Sequence, residues 1–168
     1  MSMPQERALP EPPRVEQGGS MTLVGLSMVC TENIARDIPA LWQRFGALIG
    51  EIPDRLGSTT YGVCRQDHAG RVEYLCAVEA SGTDDVPPHF SRWELAPQRY
   101  AVFSHAQHVS TIRETIHHIF GKRLAQAGLT HAAAPFFERY GPEFNLATGT
   151  GGVEIWVPVS AGFRPWSE

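Results

Sequence analysis

The sequence predicts an α+β fold made of two strand-helix-strand-strand modules in tandem. Three observations carry this. Two stretches repeat their apolar residues at helical spacing. Each is followed by a pair of strand-like segments. The two halves also match each other at several positions. Modules related by a pseudo-two-fold axis would form an antiparallel sheet with the helices on one face and a central groove on the other.

The first strand is read at 21–30 (MTLVGLSMVC). Residues 34–49 then carry Ile34, Ile38, Leu41, Trp42, Phe45, Leu48 and Ile49, the stripe of an amphipathic helix. Pro39 is tolerated in a first helical turn, so the regular helix is expected to start near Asp37. Two strands, 59–66 and 72–80, flank a turn at Asp67-His68-Ala69-Gly70. A loop rich in turn formers follows. The second half opens with a short strand at 90–95 and a clearer one at 99–106. A helix at about 110–127 carries Ile112, Ile116, Ile119, Phe120 and Leu124. Thr111 and Glu114 have the spacing of a capping box, and Gly128 that of a C-terminal stop. Strands at 135–140 and 152–159 close the pattern. Between the halves, Val24 matches Val102, Leu41 matches Ile119, and Tyr61-Gly62 answers Tyr140-Gly141. VEYLCAVEA (72–80) answers VEIWVPVSA.

Composition bounds the function. The chain has 168 residues, 42% hydrophobic and 19% charged, enough for one real core. Fourteen basic residues against eighteen acidic give a net charge of −4. That balance speaks against nucleic-acid binding by bulk charge. No apolar run approaches the ~20 residues of a membrane span. Residues 1–17 have no apolar core of a signal peptide. Cys30, Cys64 and Cys76 are too few and too widely spaced for a disulfide scaffold, which suits a cytoplasmic protein. The expected organisation is a mobile tail at 1–19, one domain at 20–161, and a C-terminal tail at 162–168, where Trp166 is apolar enough to dock.

The chemistry is sought first on the last strand. Val153, Ile155, Val157 and Val159 share one face, and Glu154, Trp156 and Pro158 the other. A carboxylate beside an indole, away from the core, would favour an aromatic cation; the same pattern also fits an ordinary solvated glutamate. Tyr61, Tyr140 and Phe103 are candidate groove walls, and Trp93 joins them. His105 shares a face with Phe103 and would border the cleft. No cofactor is expected. The histidines carry no metal-binding spacing: His117 and His118 are adjacent, about 100° apart on a helix. Gly149-Thr150-Gly151-Gly152 precedes a strand and is a poor phosphate loop.

These residues resemble the GyrI-like family, the AraC-type effector-binding domains. The match spans about residues 20–160. It rests on Tyr61-Gly62-Val63, Tyr100-Ala101-Val102-Phe103, the Pro-x-Phe-Glu-x-Tyr pattern at Pro135, Phe137, Glu138 and Tyr140, and Val153-Glu154-Ile155-Trp156-Val157-Pro158. The resemblance implies a groove for bulky aromatic, often cationic compounds, with an acid on the final strand, here Glu154, offsetting the ligand's charge. It also implies multidrug binding linked to transcription regulation. About twenty polar residues precede the domain, too few for the helix-turn-helix of the larger regulators, so no direct nucleic-acid contact is expected, and the short apolar runs predict no membrane contact. The leading expectation is a small-molecule binding module, acting alone or with a separate DNA-binding regulator. One alternative is a hydrolase of electrophilic drugs with Glu154 as general base. The other is a protein-binding inhibitor of DNA gyrase type.

Overall fold

The computed structural model describes residues 11–82 and 85–160. Among these residues, eight strands form one sheet: β1 (Arg14–Gly18), β2 (Met21–Val29), β3 (Arg55–Gln66), β4 (Val72–Ala80), β5 (Ser91–Leu95), β6 (Gln98–His105), β7 (Phe136–Tyr140) and β8 (Val153–Pro158). Their order is β1-β6-β8-β7-β3-β4-β2-β5, with every neighbouring pair antiparallel. Helix α1 (Ile34–Leu48) lies between β2 and β3. Helix α2 (Ile112–His118) lies between β6 and β7 and runs on through a π-helical turn, Ile119–Arg123, into α3 (Leu124–Gln126). The order strand, helix, strand, strand runs through β2, α1, β3 and β4 and again through β6, the helical segment after it, β7 and β8, while β1 and β5 take the two edges of the sheet. The halves meet where β3 pairs with β7.

The sheet has two apolar faces, because residues at i and i+2 share a side. On one, α1 buries Leu41 and Phe45 against Val24, Leu26, Cys76 and Val78. The helix after β6 buries Ile112, Ile119 and Leu124 against Phe103, Val153, Ile155 and Val157. Trp42 of α1 packs against both of these clusters and marks their seam. The other face carries a third cluster to which no helix among the described residues contributes. It holds Leu23, Tyr61, Val63, Leu75, Trp93, Tyr100 and Phe137, with Trp156 packed against it.

Several local expectations differ from the structure. Residues 14–18 belong to the sheet: β1 pairs with β6, Arg14 opposite Val102 and Gly18 opposite Gln98. Backbone pairing holds this polar segment at the sheet edge without apolar alternation. Helix α1 starts at Ile34, with Pro39 inside it on an exposed position. The capping box does not form. The Thr111 hydroxyl donates to the His108 carbonyl at 2.9 Å, and the His108 ring accepts from the Ser110 N–H at 3.1 Å. Gly128, at φ 71°, does end the helix. The C-terminal segment, including Trp166, lies outside the described residues.

Candidate functional site

Trp156 of β8, Phe137 of β7, Tyr61 of β3 and Tyr100 of β6 meet on the face without helices. Phe137 stacks on Trp156 at 5.5 Å and 16°, and receives the edges of Tyr61 and Tyr100 at 5.5 and 5.3 Å. These four rings line a cavity of about 280 Å³, closed on one side by the β1–β2 turn. Gly18, the last residue of β1, leads into that turn, and a Cβ there would stand 2.7 Å from the Tyr100 ring. Glu79 and Arg139 also line the cavity.

Glu154 lies on this same face, and its charge is already matched. Arg14 holds one carboxylate oxygen at 2.8 Å, and the Trp156 N–H donates to the other at 3.1 Å. Arg139 stands 3.8 Å away. Trp93 shares the face but is covered by the Arg65 guanidinium, 3.6 Å from the ring centroid.

Phe103 and Tyr140 were expected in the groove and lie on the helix side. Cross-strand partners point to the same face, and Phe103 sits opposite core-facing Ile155. Both residues belong to the cluster under α2. His105 is on that side too, buried and bonded to the Thr115 hydroxyl and the His108 carbonyl at 2.8 and 2.9 Å.

The helix side holds a carboxylate that the strand reading overlooked. Glu138 of β7 is buried at 6% exposure. It accepts hydrogen bonds from the Tyr74 hydroxyl at 2.9 Å and the Tyr140 hydroxyl at 2.7 Å. One tyrosine comes from each half of the fold. The Trp42 indole N–H donates to the Tyr74 oxygen at 2.9 Å, and its ring meets Tyr140 edge-on at 5.4 Å. Gly62 faces Glu138 across the β3–β7 pair. A Cβ at Gly62 would collide with the Tyr74 hydroxyl and come within 2.7 Å of the Glu138 carboxylate.

Glu138 has no cationic partner among the described residues. Burial pushes its carboxyl above the usual range, and the two tyrosine bonds pull it only partly back. Burial, with the Glu138 charge adding to it, pushes Tyr74 and Tyr140 well above ordinary phenols, so both stay protonated donors. A buried carboxylate facing only neutral donors is costly to folding, and such groups mark functional sites. The signal was present in the sequence. Glu138 alternates with Phe137 and Arg139, which places it on the core side with Tyr140.

The sheet thus carries an aromatic cavity on one face and a buried carboxylate among aromatic rings on the other. The chain belongs to the GyrI-like family: residues 11–160 match its model, described as a GyrI-like small molecule binding domain. It is 30% identical over 124 residues to the transcriptional regulator BrlR of Pseudomonas aeruginosa, which takes in 73% of this chain and 46% of BrlR. The chain therefore matches less than half the length of that relative. Among solved structures, SAV2435 bound to tetraphenylphosphonium superposes with a TM-score of 0.76 at 23% identity, covering 90% of this chain and 95% of that one. The EcmrR C-terminal domain gives 0.63 at 9% identity, covering 91% and 99%. These two share the fold. No helix among the described residues is long and apolar enough to cross a membrane.

Proposed function

We propose that this domain binds bulky aromatic cations at the seam between its halves, with Glu138 as counter-charge. One observation carries the reading: Glu138 is a buried carboxylate, wedged among Trp42, Tyr74 and Tyr140, that no cation of the described residues neutralises. A cationic ligand would supply the missing charge, and the aromatic rings would add cation–π and dispersion contacts. Trp42 stands over the pair, donating to the Tyr74 oxygen, so entry displaces its indole and leaves that oxygen free to accept, while the Tyr74 O–H still donates to Glu138. The cation held by the structural neighbour SAV2435 supports the same ligand class. Glu154, held by Arg14, is a poorer counter-charge. The relation to BrlR supports a role in sensing compounds for transcriptional control, alone or with a DNA-binding partner.

Thermal unfolding tests this directly. Tetraphenylphosphonium at a hundredfold excess over its dissociation constant adds about 2.7 kcal/mol of stability. Neutral triphenylphosphine oxide adds far less. Equal stabilisation by both would remove the cationic reading.

The raised carboxyl of Glu138 also suits a general base. Mass spectrometry of an electrophilic ligand after long incubation separates the two roles. Turnover abolished in Glu138→Gln identifies a hydrolase, and intact ligand identifies a binder.

A further inference from the structure

We propose that the face without helices carries a second ligand site, shaped for a compact aromatic zwitterion and separate from the Glu138 seam. The cavity of about 280 Å³ has an aromatic floor of Tyr61, Tyr100, Phe137 and Trp156. That volume falls just below the roughly 300–1,000 Å³ typical of pockets for drug-sized molecules, so the fitting ligand has a single ring system. Stacked and edge-on rings favour an aromatic body.

Two charges of opposite sign line the same cavity. Glu79 of β4 is half-buried and has no cationic partner among the described residues. Arg139 of β7 shares Glu154 with Arg14, and Arg14 is the nearer at 2.8 Å against 3.8 Å. Arg139 therefore keeps positive charge to offer. Tyr61 of β3 sits between them and feels the charge of both Arg139 and Glu79. Arg139 is directly opposite Tyr61, and Tyr61 is opposite Ala77, two residues from Glu79. Two strand spacings and one side-chain repeat put the Glu79 and Arg139 Cα atoms about 12 Å apart. Both side chains reach inward from those positions. A ring with an ammonium group at one end and a carboxylate at the other spans the gap, the ammonium toward Glu79 and the carboxylate toward Arg139.

The site is independent of the first. Phe137 and Arg139 point to this face of β7, whereas Glu138 points to the other. The cavity is also small for a bulky cation.

Isothermal titration with three matched probes tests the proposal: 4-(aminomethyl)benzoate, 4-methylbenzylamine and 4-methylbenzoate. The zwitterion should bind about tenfold more tightly than either singly charged probe. Glu79→Gln should bring it down to the level of 4-methylbenzoate, and Arg139→Met to that of 4-methylbenzylamine. Glu138→Gln should leave it unchanged. Equal affinity for all three probes overturns the proposal, as does the absence of saturable binding. Loss in Glu138→Gln with retention in Glu79→Gln overturns the separation of the two sites. The probe series on the wild-type protein decides the matter even if a variant fails to fold.

Discussion

Two glutamates, Glu138 and Glu154, sit on neighbouring strands on opposite faces of one sheet, and their surroundings are opposites. Glu154 is partly exposed and gripped by Arg14, with Arg139 beyond. Glu138 is sealed in the seam with two tyrosine hydroxyls and no cation among the described residues. The comparison teaches that a carboxylate near an aromatic does not make a cation site by itself. What matters is whether its charge is already answered. Glu154 has spent its charge inside the protein, and Glu138 has kept it for something else.

The sharpest way to break this contrast is at Gly62. A methyl group there collides with the Tyr74 hydroxyl that supports Glu138. Gly62→Ala should destabilise the domain by about 2–4 kcal/mol, a value set by overpacking together with the loss of a buried hydrogen bond. Denaturant unfolding measures it, and an unchanged midpoint would show that the network can shift freely.

Tyr140→Phe should have the next largest effect. It removes one of the two donors to a buried carboxylate, at a cost of about 1–3 kcal/mol near neutral pH. The cost should shrink in acid, where Glu138 is protonated and needs less support.

The pH dependence sharpens the contrast further. The folded state raises the Glu138 pKa, so it holds that proton more tightly than the unfolded chain does. The resulting stability is fully present below the ordinary glutamate range and is lost as pH rises through the folded value. Glu138→Gln should abolish this loss, so its melting temperature should exceed that of wild type at neutral pH and converge with it near pH 4. A melting curve series from pH 4 to 8 shows this. Parallel curves for the two proteins would mean that Glu138 titrates normally. Cation affinity should rise over the same interval, as binding expels the proton.

The smallest effect belongs to Arg14→Ala. The two pairs it breaks, with Glu154 and Glu16, are half exposed on the arginine side, so the stability change should stay within about 1 kcal/mol. A larger change would make β1 a structural staple of the sheet rather than an edge.

Much of this was legible in the sequence. Period two on β8 correctly separated Val153, Ile155 and Val157 from Glu154 and Trp156. The helical stripe correctly placed Leu41, Phe45, Ile112 and Ile119 in the core. What escaped was non-local. Glu154 needed Arg14, 140 residues away, before its charge could be judged. Strand β1 owes its order to β6 and not to its own polar pattern. Parity on β7 likewise separates Glu138 from Phe137. It also corrects two of the matches between the halves: Val24 and Val102 lie on opposite faces of the sheet, as do Tyr61 and Tyr140. Tyr74 and Ile155, by contrast, share the helix side at matching places.

The most direct measurement is a calorimetric titration of tetraphenylphosphonium into wild type, Glu138→Gln and Glu154→Gln at neutral pH. Glu138→Gln should weaken binding by about ten- to a hundredfold, the usual worth of a buried charge-assisted contact. Glu154→Gln should stay within about threefold of wild type, because that carboxylate is already paired. The reverse order, with Glu154→Gln the damaging change, would contradict the account and return the counter-charge to the last strand.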